Sequence, residues 1–204
     1  MKRKVIVFID GFNLYHAIDI NPNYNKFKWL DLSNLASLYI TKNEEIVDII
    51  YFTALANWDQ NKVRKHKLFI KANELKGVQV VYGEFKKRDK FCNLCNRTYQ
   101  TFEEKQTDVN IAIQLFKLSI DDKYDKAIII SGDSDLIPSI NAVRKTFPHK
   151  QIGVVIPIAR RAEALKQVCD FYMKMKERHL LSSIMEHKIK INKNEYIECP
   201  SDWR

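Results

Sequence analysis

Residues 126–137 read Lys126-Ala127-Ile128-Ile129-Ile130-Ser131-Gly132-Asp133-Ser134-Asp135-Leu136-Ile137, an apolar run that stops at a small-residue turn carrying two acids. A run of β-branched residues without polar alternation suits a strand buried on both faces, the condition of a parallel sheet covered by helices. The same pattern stands near the start, where Val5-Ile6-Val7-Phe8-Ile9 runs into Asp10-Gly11-Phe12-Asn13. Carboxylates do not belong inside such strands, so Asp10, Asp133 and Asp135 are expected just beyond the strand ends, where open α/β sheets bind their ligands. Asp108 opens an amphipathic segment and is expected at the same edge. Acids gathered there would repel one another unless a cation neutralised them. An oxygen-rich cluster poor in His and Cys is suited to a hard ion, Mg2+ or Mn2+.

On either side of this stretch, strand-like and helix-like segments alternate. Strands are expected at Lys4–Ile9, Glu45–Thr53, Val78–Phe85, Lys126–Ser131 and Gln151–Pro157. Helices are expected at Leu14–Ile20, from Asp31 onward, at Trp58–Leu75 with Gly77 as its stop, at Asp108–Ser119, at Ser134–Phe147 and at Arg160–Val168. This alternation predicts an α/β fold, a mostly parallel Rossmann-like sheet of about five strands with helices on both faces. In the fourth of these helices Val109, Ala112, Ile113, Phe116 and Ile120 form an apolar stripe expected to face the core. In the fifth, Leu136, Ile140, Val143 and Phe147 do so. The domain is read as residues 1–178, with a polar insert at 86–104 and a C-terminal appendage at 179–204.

The chain has 204 residues, 46% of them hydrophobic, enough for one sizeable core. No stretch approaches the roughly 20 apolar residues that span a bilayer. The basic start Met1–Lys4 is followed by an apolar run that ends at Asp10, too short for a secretory signal. The four cysteines follow no disulfide framework, which points to a reducing, cytoplasmic setting. A net charge of +9 favours a polyanionic partner. Candidate phosphate contacts are Lys86, Lys87, Arg88 and Lys90 in the insert, Lys105 at its end, and Arg160 and Arg161 beyond the fifth strand. Tyr99 and Phe102 are candidates for stacking on bases. Asn13 can orient a water or a phosphate oxygen, and Ser131 and Ser134 can donate hydrogen bonds around Asp133.

Three blocks, Val5-Ile-Val-Phe-Ile-Asp10-Gly-Phe-Asn13-Leu-Tyr15, Glu104-Lys105-Gln-Thr-Asp108-Val109 and Ile128-Ile-Ile-Ser131-Gly-Asp133-Ser-Asp135-Leu-Ile-Pro138, resemble in order the signature blocks of the NYN-domain family of the PIN-like nuclease superfamily. The resemblance runs from about residue 3 to residue 175. It implies a PIN-like sheet and metal-dependent ribonuclease activity. Matched position by position, Asp10, Asp108 and Asp133 fall on the metal-binding acids, Asp135 on the accessory acid and Asn13 on the site asparagine. Leu136 stands where an aromatic residue is frequent, and Gln106 where glycine is common.

The expectation is therefore an endoribonuclease using Mg2+ or Mn2+ on RNA. Its rivals are a non-catalytic RNA-binding protein on the same fold and a metal-dependent nucleotide phosphohydrolase. No Walker glycine loop, Ser/His/Asp order or DxD start after the first strand is present. Cys92-Asn93-Leu94-Cys95 supplies half of a tetrahedral Zn2+ site, and no second pair stands at suitable spacing. A reduced, accessible pair of thiols is the expectation. The alternative is a zinc knuckle completed by distant residues or by another subunit of a homo-oligomer.

Overall fold

A computed structural model of the chain describes residues 2–192 and 194–204. Its elements in chain order are β1 (Arg3–Asp10), α1 (Gly11–Asp19), α2 (Leu32–Ser37), β2 (Glu44–Thr53), α3 (Gln60–Glu74), β3 (Gln79–Tyr82), β4 (Glu84–Cys92), β5 (Arg97–Lys105), α4 (Thr107–Ile120), β6 (Lys126–Ile130), α5 (Ile137–Thr146), β7 (Gln151–Ile156), α6 (Glu163–Val168), β8 (Phe171–Lys174), α7 (Glu177–Leu181), β9 (Lys188–Lys190) and β10 (Tyr196–Glu198). Six strands form one sheet in the order β3-β2-β1-β6-β7-β8. Every neighbouring pair in it is parallel. The sixth strand, β8, is four residues at the sheet edge, too short to stand out in sequence.

β1 shows why its residues are uniformly apolar. Val5, Val7 and Ile9 face Leu14 and Ile18 of α1, Leu35 of α2 and Ile70 of α3 on one side of the sheet. Ile6 and Phe8 face Ile111 and Leu115 of α4 and Ile140 and Val143 of α5 on the other. The chain winds outward from β1 to β3 and then returns to pair β6 along the free edge of β1. The strand order reverses there, and the crevice at a reversal is where this architecture opens to ligands.

Helix α4 corrects one expectation. Val109, Ile113 and Ile120 are 58%, 57% and 61% exposed, and the core-facing positions are Thr107, Ile111, Leu115 and Ser119. Both stripes have helical spacing. The inner one was hidden because two of its members are polar. Each is satisfied locally: the Ser119 hydroxyl donates to the Leu115 carbonyl at 2.7 Å and meets the Tyr124 hydroxyl, while Thr107 donates to Glu104.

The insert is a β-hairpin of β4 and β5, paired among the described residues only with itself. The stretch from 179 packs closely. Trp29 donates through Nε1 to the Glu186 carbonyl at 3.0 Å, Leu30 bridges Ile184, and Leu180, Met185, Ile197 and Cys199 are buried in the core. At the opposite end of the sheet from the acids, the Lys126 ammonium sits 3.0 Å from Glu44 Oε1, both side chains buried. Among the described residues no helix is long and apolar enough to cross a membrane.

Candidate functional site

Asp10 is the last residue of β1 and caps α1: its Oδ1 accepts the Asn13 backbone N–H at 3.0 Å. Its Oδ2 accepts the Ser131 hydroxyl at 2.8 Å, and Ser131 Oγ in turn accepts the Asp133 N–H at 3.0 Å. Asp133 Oδ1 accepts the Asp135 N–H at 3.0 Å and so caps the short turn that precedes α5. Asn13 completes the circuit, its Oδ1 accepting the Gly132 N–H at 2.9 Å. Thus the ends of β1 and β6, 121 positions apart at Asp10 and Ser131, are laced into one rigid edge. Gly11 is required here, since a Cβ on it would stand 2.6 Å from the Phe52 carbonyl oxygen of β2.

The electrostatics bring the remaining acids in. Burial pushes the Asp10 carboxyl up to about 6 against the hydrogen bonds from Asn13 and Ser131, with Asp133 and Glu104 adding repulsion. Asp108, in the first turn of α4, is pushed up to about 6 by burial and then by Asp10, Asp133, Glu104 and Asp135. The four acids singled out in sequence therefore share one field. Glu104 is a fifth that sequence reasoning quoted in a motif but gave no role. It lies near the base of β5 and accepts the Thr107 N–H at 3.0 Å. Its signal is the register Phe85↔Glu104, which places it on the hairpin face turned to the acids, and pairing of that kind is invisible in a linear reading.

Among the described residues no three acidic, His or Cys side chains stand close enough to enclose one ion as they are. The donor chemistry nevertheless fits a hard divalent cation: the set is all oxygen, and two members hold protons more tightly than usual, first because they are buried and then because the neighbouring acids repel them. Asp108 and Asp133 are partly exposed and Asp135 is exposed, so they are free to turn toward an ion.

In chelator, the folded Asp10 and Asp108 carboxyls titrate near 6, against an ordinary value of 3.8, so between about pH 4 and 6 the folded chain binds more protons than the unfolded one. Stability contributed by these groups therefore falls as pH rises through that window. Asp108→Asn should remove part of this fall. In EDTA at pH 8 the variant should be more stable in urea melts by on the order of 1 kcal/mol, a figure discounted for the half-exposed position, and equal to the parent below pH 4. A variant less stable than the parent at pH 8 would show that Asp108 is not under repulsion.

The hairpin stands beside this edge. Directly opposed residues of an antiparallel pair share a face. Phe85, Lys87, Phe102 and Glu104 thus lie on one side, and Lys86, Arg88, Lys90, Tyr99 and Lys105 on the other. The first side is docked by aromatic contact: Trp58 stacks on Phe102 at 3.8 Å and meets Phe85 edge-on at 4.6 Å, and Phe12 of α1 meets Phe85 at 5.2 Å. Phe102 is therefore a structural anchor, while Tyr99 stays exposed. The insert's cations do not act as one cluster. Lys86 pairs with Glu84 at 3.1 Å, and Lys90 and Lys105 pair with Glu103 at 2.9 and 3.3 Å, all on the far face. Lys87 alone of the five named cations from 86 to 105 shares the face of Glu104. Gln106, where glycine is common in the resembled blocks, takes φ +79°, a backbone region glycine favours, and its side chain donates to Glu84 at 2.8 Å.

Arg160 lies at the acid edge. Its Cβ is 3.4 Å from where a Cβ on Gly132 would be, and its charge, after burial, holds His16 of α1 below the usual range. Arg161 is exposed in the same loop. Ser131 is central to the network, whereas Ser134 is exposed and makes no hydrogen bond to the carboxylates among the described residues.

A parallel α/β sheet with acids converging at its reversal point defines a Rossmann-like domain of the PIN-like type. The sequence model of the NYN domain matches residues 4–176, and the chain belongs to the NYN-domain family, whose members are generally hydrolytic nucleases. The chain is 28% identical over 190 residues to 6-hydroxy-3-succinoylpyridine 3-monooxygenase HspA of Pseudomonas putida (strain DSM 28022 / S16), covering 74% of this chain and 58% of that protein. It thus spans less than two thirds of that relative's length. A crystal structure of a protein of unknown function, VPA0982 from Vibrio parahaemolyticus RIMD 2210633, shares the fold at a TM-score of 0.62 and 17% identity, covering 90% of this chain and 97% of the other.

Proposed function

We propose that this chain is a divalent-metal-dependent endoribonuclease. The observation that carries the reading is the field shared by Asp10, Glu104, Asp108, Asp133 and Asp135 at the reversal point, read from the raised Asp10 and Asp108 carboxyls. Mg2+ or Mn2+ bound there would supply Lewis acidity and positive charge at a phosphodiester. Asp10, Asp108 and Asp133 would hold the cation, with Asp135 and Glu104 as accessory acids. Ser131 and Asn13 keep the two loops in register, so that the carboxylates are set before substrate arrives. Arg160 beside Gly132 and Lys87 on the hairpin's inner face are the cations suited to hold RNA phosphates across the acids, with Arg161 further out.

The monooxygenase name belongs to the Pseudomonas relative. What favours RNA here is the acid edge flanked by cations on a chain of net charge +9. The purified protein should be offered single-stranded RNA, duplex RNA, DNA and free nucleotides with Mg2+, Mn2+ or EDTA. Internal cleavage of RNA that stops in EDTA is the expected result. Binding without cleavage would favour a scaffold role, and turnover of nucleotides alone a phosphohydrolase.

The binding path has its own test. Lys87→Ala with Arg160→Ala should weaken RNA binding in EDTA and reduce the slope of log affinity against log salt by about 1.4, roughly 0.7 per single-strand phosphate contact. Lys86→Ala with Lys90→Ala, whose charges are already paired on the far face, should change the slope less. Equal effects from the two pairs would remove the inner face from the RNA path.

A further inference from the structure

The tip of the β4–β5 hairpin holds chemistry that the acid edge does not use. Cys92 ends β4 opposite Arg97, and the turn between them carries Cys95, followed by Asn96 at φ +50°. That left-handed residue turns the chain back into β5, so that both cysteines are carried on one tight turn. Two sulfurs presented by one tight turn form half of a tetrathiolate cage. Neither thiol is in a disulfide.

The other half does not come from the described residues of the same chain. Cys169 and Cys199 are buried in the core, and among the described residues no third His, Cys, Asp or Glu joins this pair. Among the described residues the hairpin pairs with no other strand, and nine residues per strand carry its tip about 30 Å along the arm. Beside the two sulfurs, Leu94 is 98% exposed and Phe91 is 60% exposed. An apolar cap of this kind on a projecting arm needs cover. A second copy of the tip, related by a two-fold axis, provides both the missing sulfurs and the apolar surface. The charge also balances: four thiolates around Zn2+ leave two negative charges, and each copy places Arg97, which is in no ion pair among the described residues, directly across from Cys92.

We propose that the hairpin tip is a zinc-dependent dimerisation site in which Cys92 and Cys95 of two copies of this chain coordinate one Zn2+. Binding displaces four thiol protons and forms four Zn–S bonds, with no change of oxidation state. The inference does not depend on the nuclease reading, since it uses none of the acids.

The test uses the full chain, purified under reducing conditions and loaded with Zn2+, with metal content from elemental analysis and mass from sedimentation equilibrium. One zinc per two chains and a mass twice the 24.1 kDa of the chain are expected, with return to monomer in excess chelator. Cys92→Ser and Cys95→Ser should each lose the zinc and sediment as monomers while melting near the parent. Co2+ in place of Zn2+ on the unaltered protein should give the intense visible bands of a tetrahedral tetrathiolate, a readout independent of how the variants fold. One zinc per chain in a monomer, no zinc bound, a Cys92–Cys95 disulfide formed in its place, or a dimer that survives both serine variants would each overturn the proposal.

Discussion

Asp108→Asn should cut RNA cleavage by more than about 100-fold, because even loss of an outer partner of a metal ligand costs up to that much, and Asp108 is placed in the ligand set itself. The same variant should fold as well as the parent or better. Its carboxylate is under repulsion from Asp10, Asp133, Glu104 and Asp135, and it makes no hydrogen bond that the amide would break among the described residues. Loss of activity joined to undiminished stability is the signature of a group kept for chemistry. A variant cleaving RNA within a few-fold of the parent, at saturating Mn2+, would remove Asp108 from the site. The pH test in EDTA then tells apart a misplaced residue from a misread reaction, since it reports the field without requiring any substrate.

Lys126→Ala should be the most destabilising single change away from that edge. The Lys126 ammonium is buried against Glu44 at 3.0 Å and lies 4.4 Å from the centre of the Phe171 ring. Burial raises the Glu44 carboxyl, but the Thr41 N–H and Lys126 outweigh it and hold the group below its usual range. Removing the ammonium leaves a buried carboxylate without its counter-charge, at a cost of about 3 kcal/mol. For a chain of this size that corresponds to a drop in melting temperature on the order of 10 °C. The double change Lys126→Met with Glu44→Leu should recover most of the loss, because neither charge is then stranded. A double variant no better than the single one would show that packing against Phe171, rather than the ion pair, carries the stability.

What could be read from the sequence, and what could not, follows from how each feature is encoded. β1 and β6 were legible because burial on both faces forces a run of apolar residues, and Asp10 and Asp133 were legible because an acid at the end of such a run stands out. The facing of α4 was not. Thr107 and Ser119 satisfy their hydroxyls within the protein and so occupy core positions that hydropathy assigns to solvent. The hairpin's cations looked like one cluster because linear proximity hides alternation, and pairing separates Lys87 from Lys86 and Arg88. Glu104 depends on the same register. The C-terminal stretch showed no period because part of its attachment is backbone bonding, as in Met185 N–H to the Trp29 carbonyl at 3.0 Å.

The strand order has a consequence for how the molecule is made. β1 pairs with β2 along one edge and with β6 along the other. On the ribosome, β1, β2 and β3 can assemble early, but the second edge of β1 stays unpaired until residues 126–130 leave the exit tunnel. The roughly 70 residues between the end of β2 and β6 take about 4–15 s to synthesise. During that interval an apolar strand edge is open to wrong partners, a recognised route to aggregation. Asp10 waits through the same interval without Ser131, so the nascent chain completes its acid edge in the event that pairs the second edge of β1.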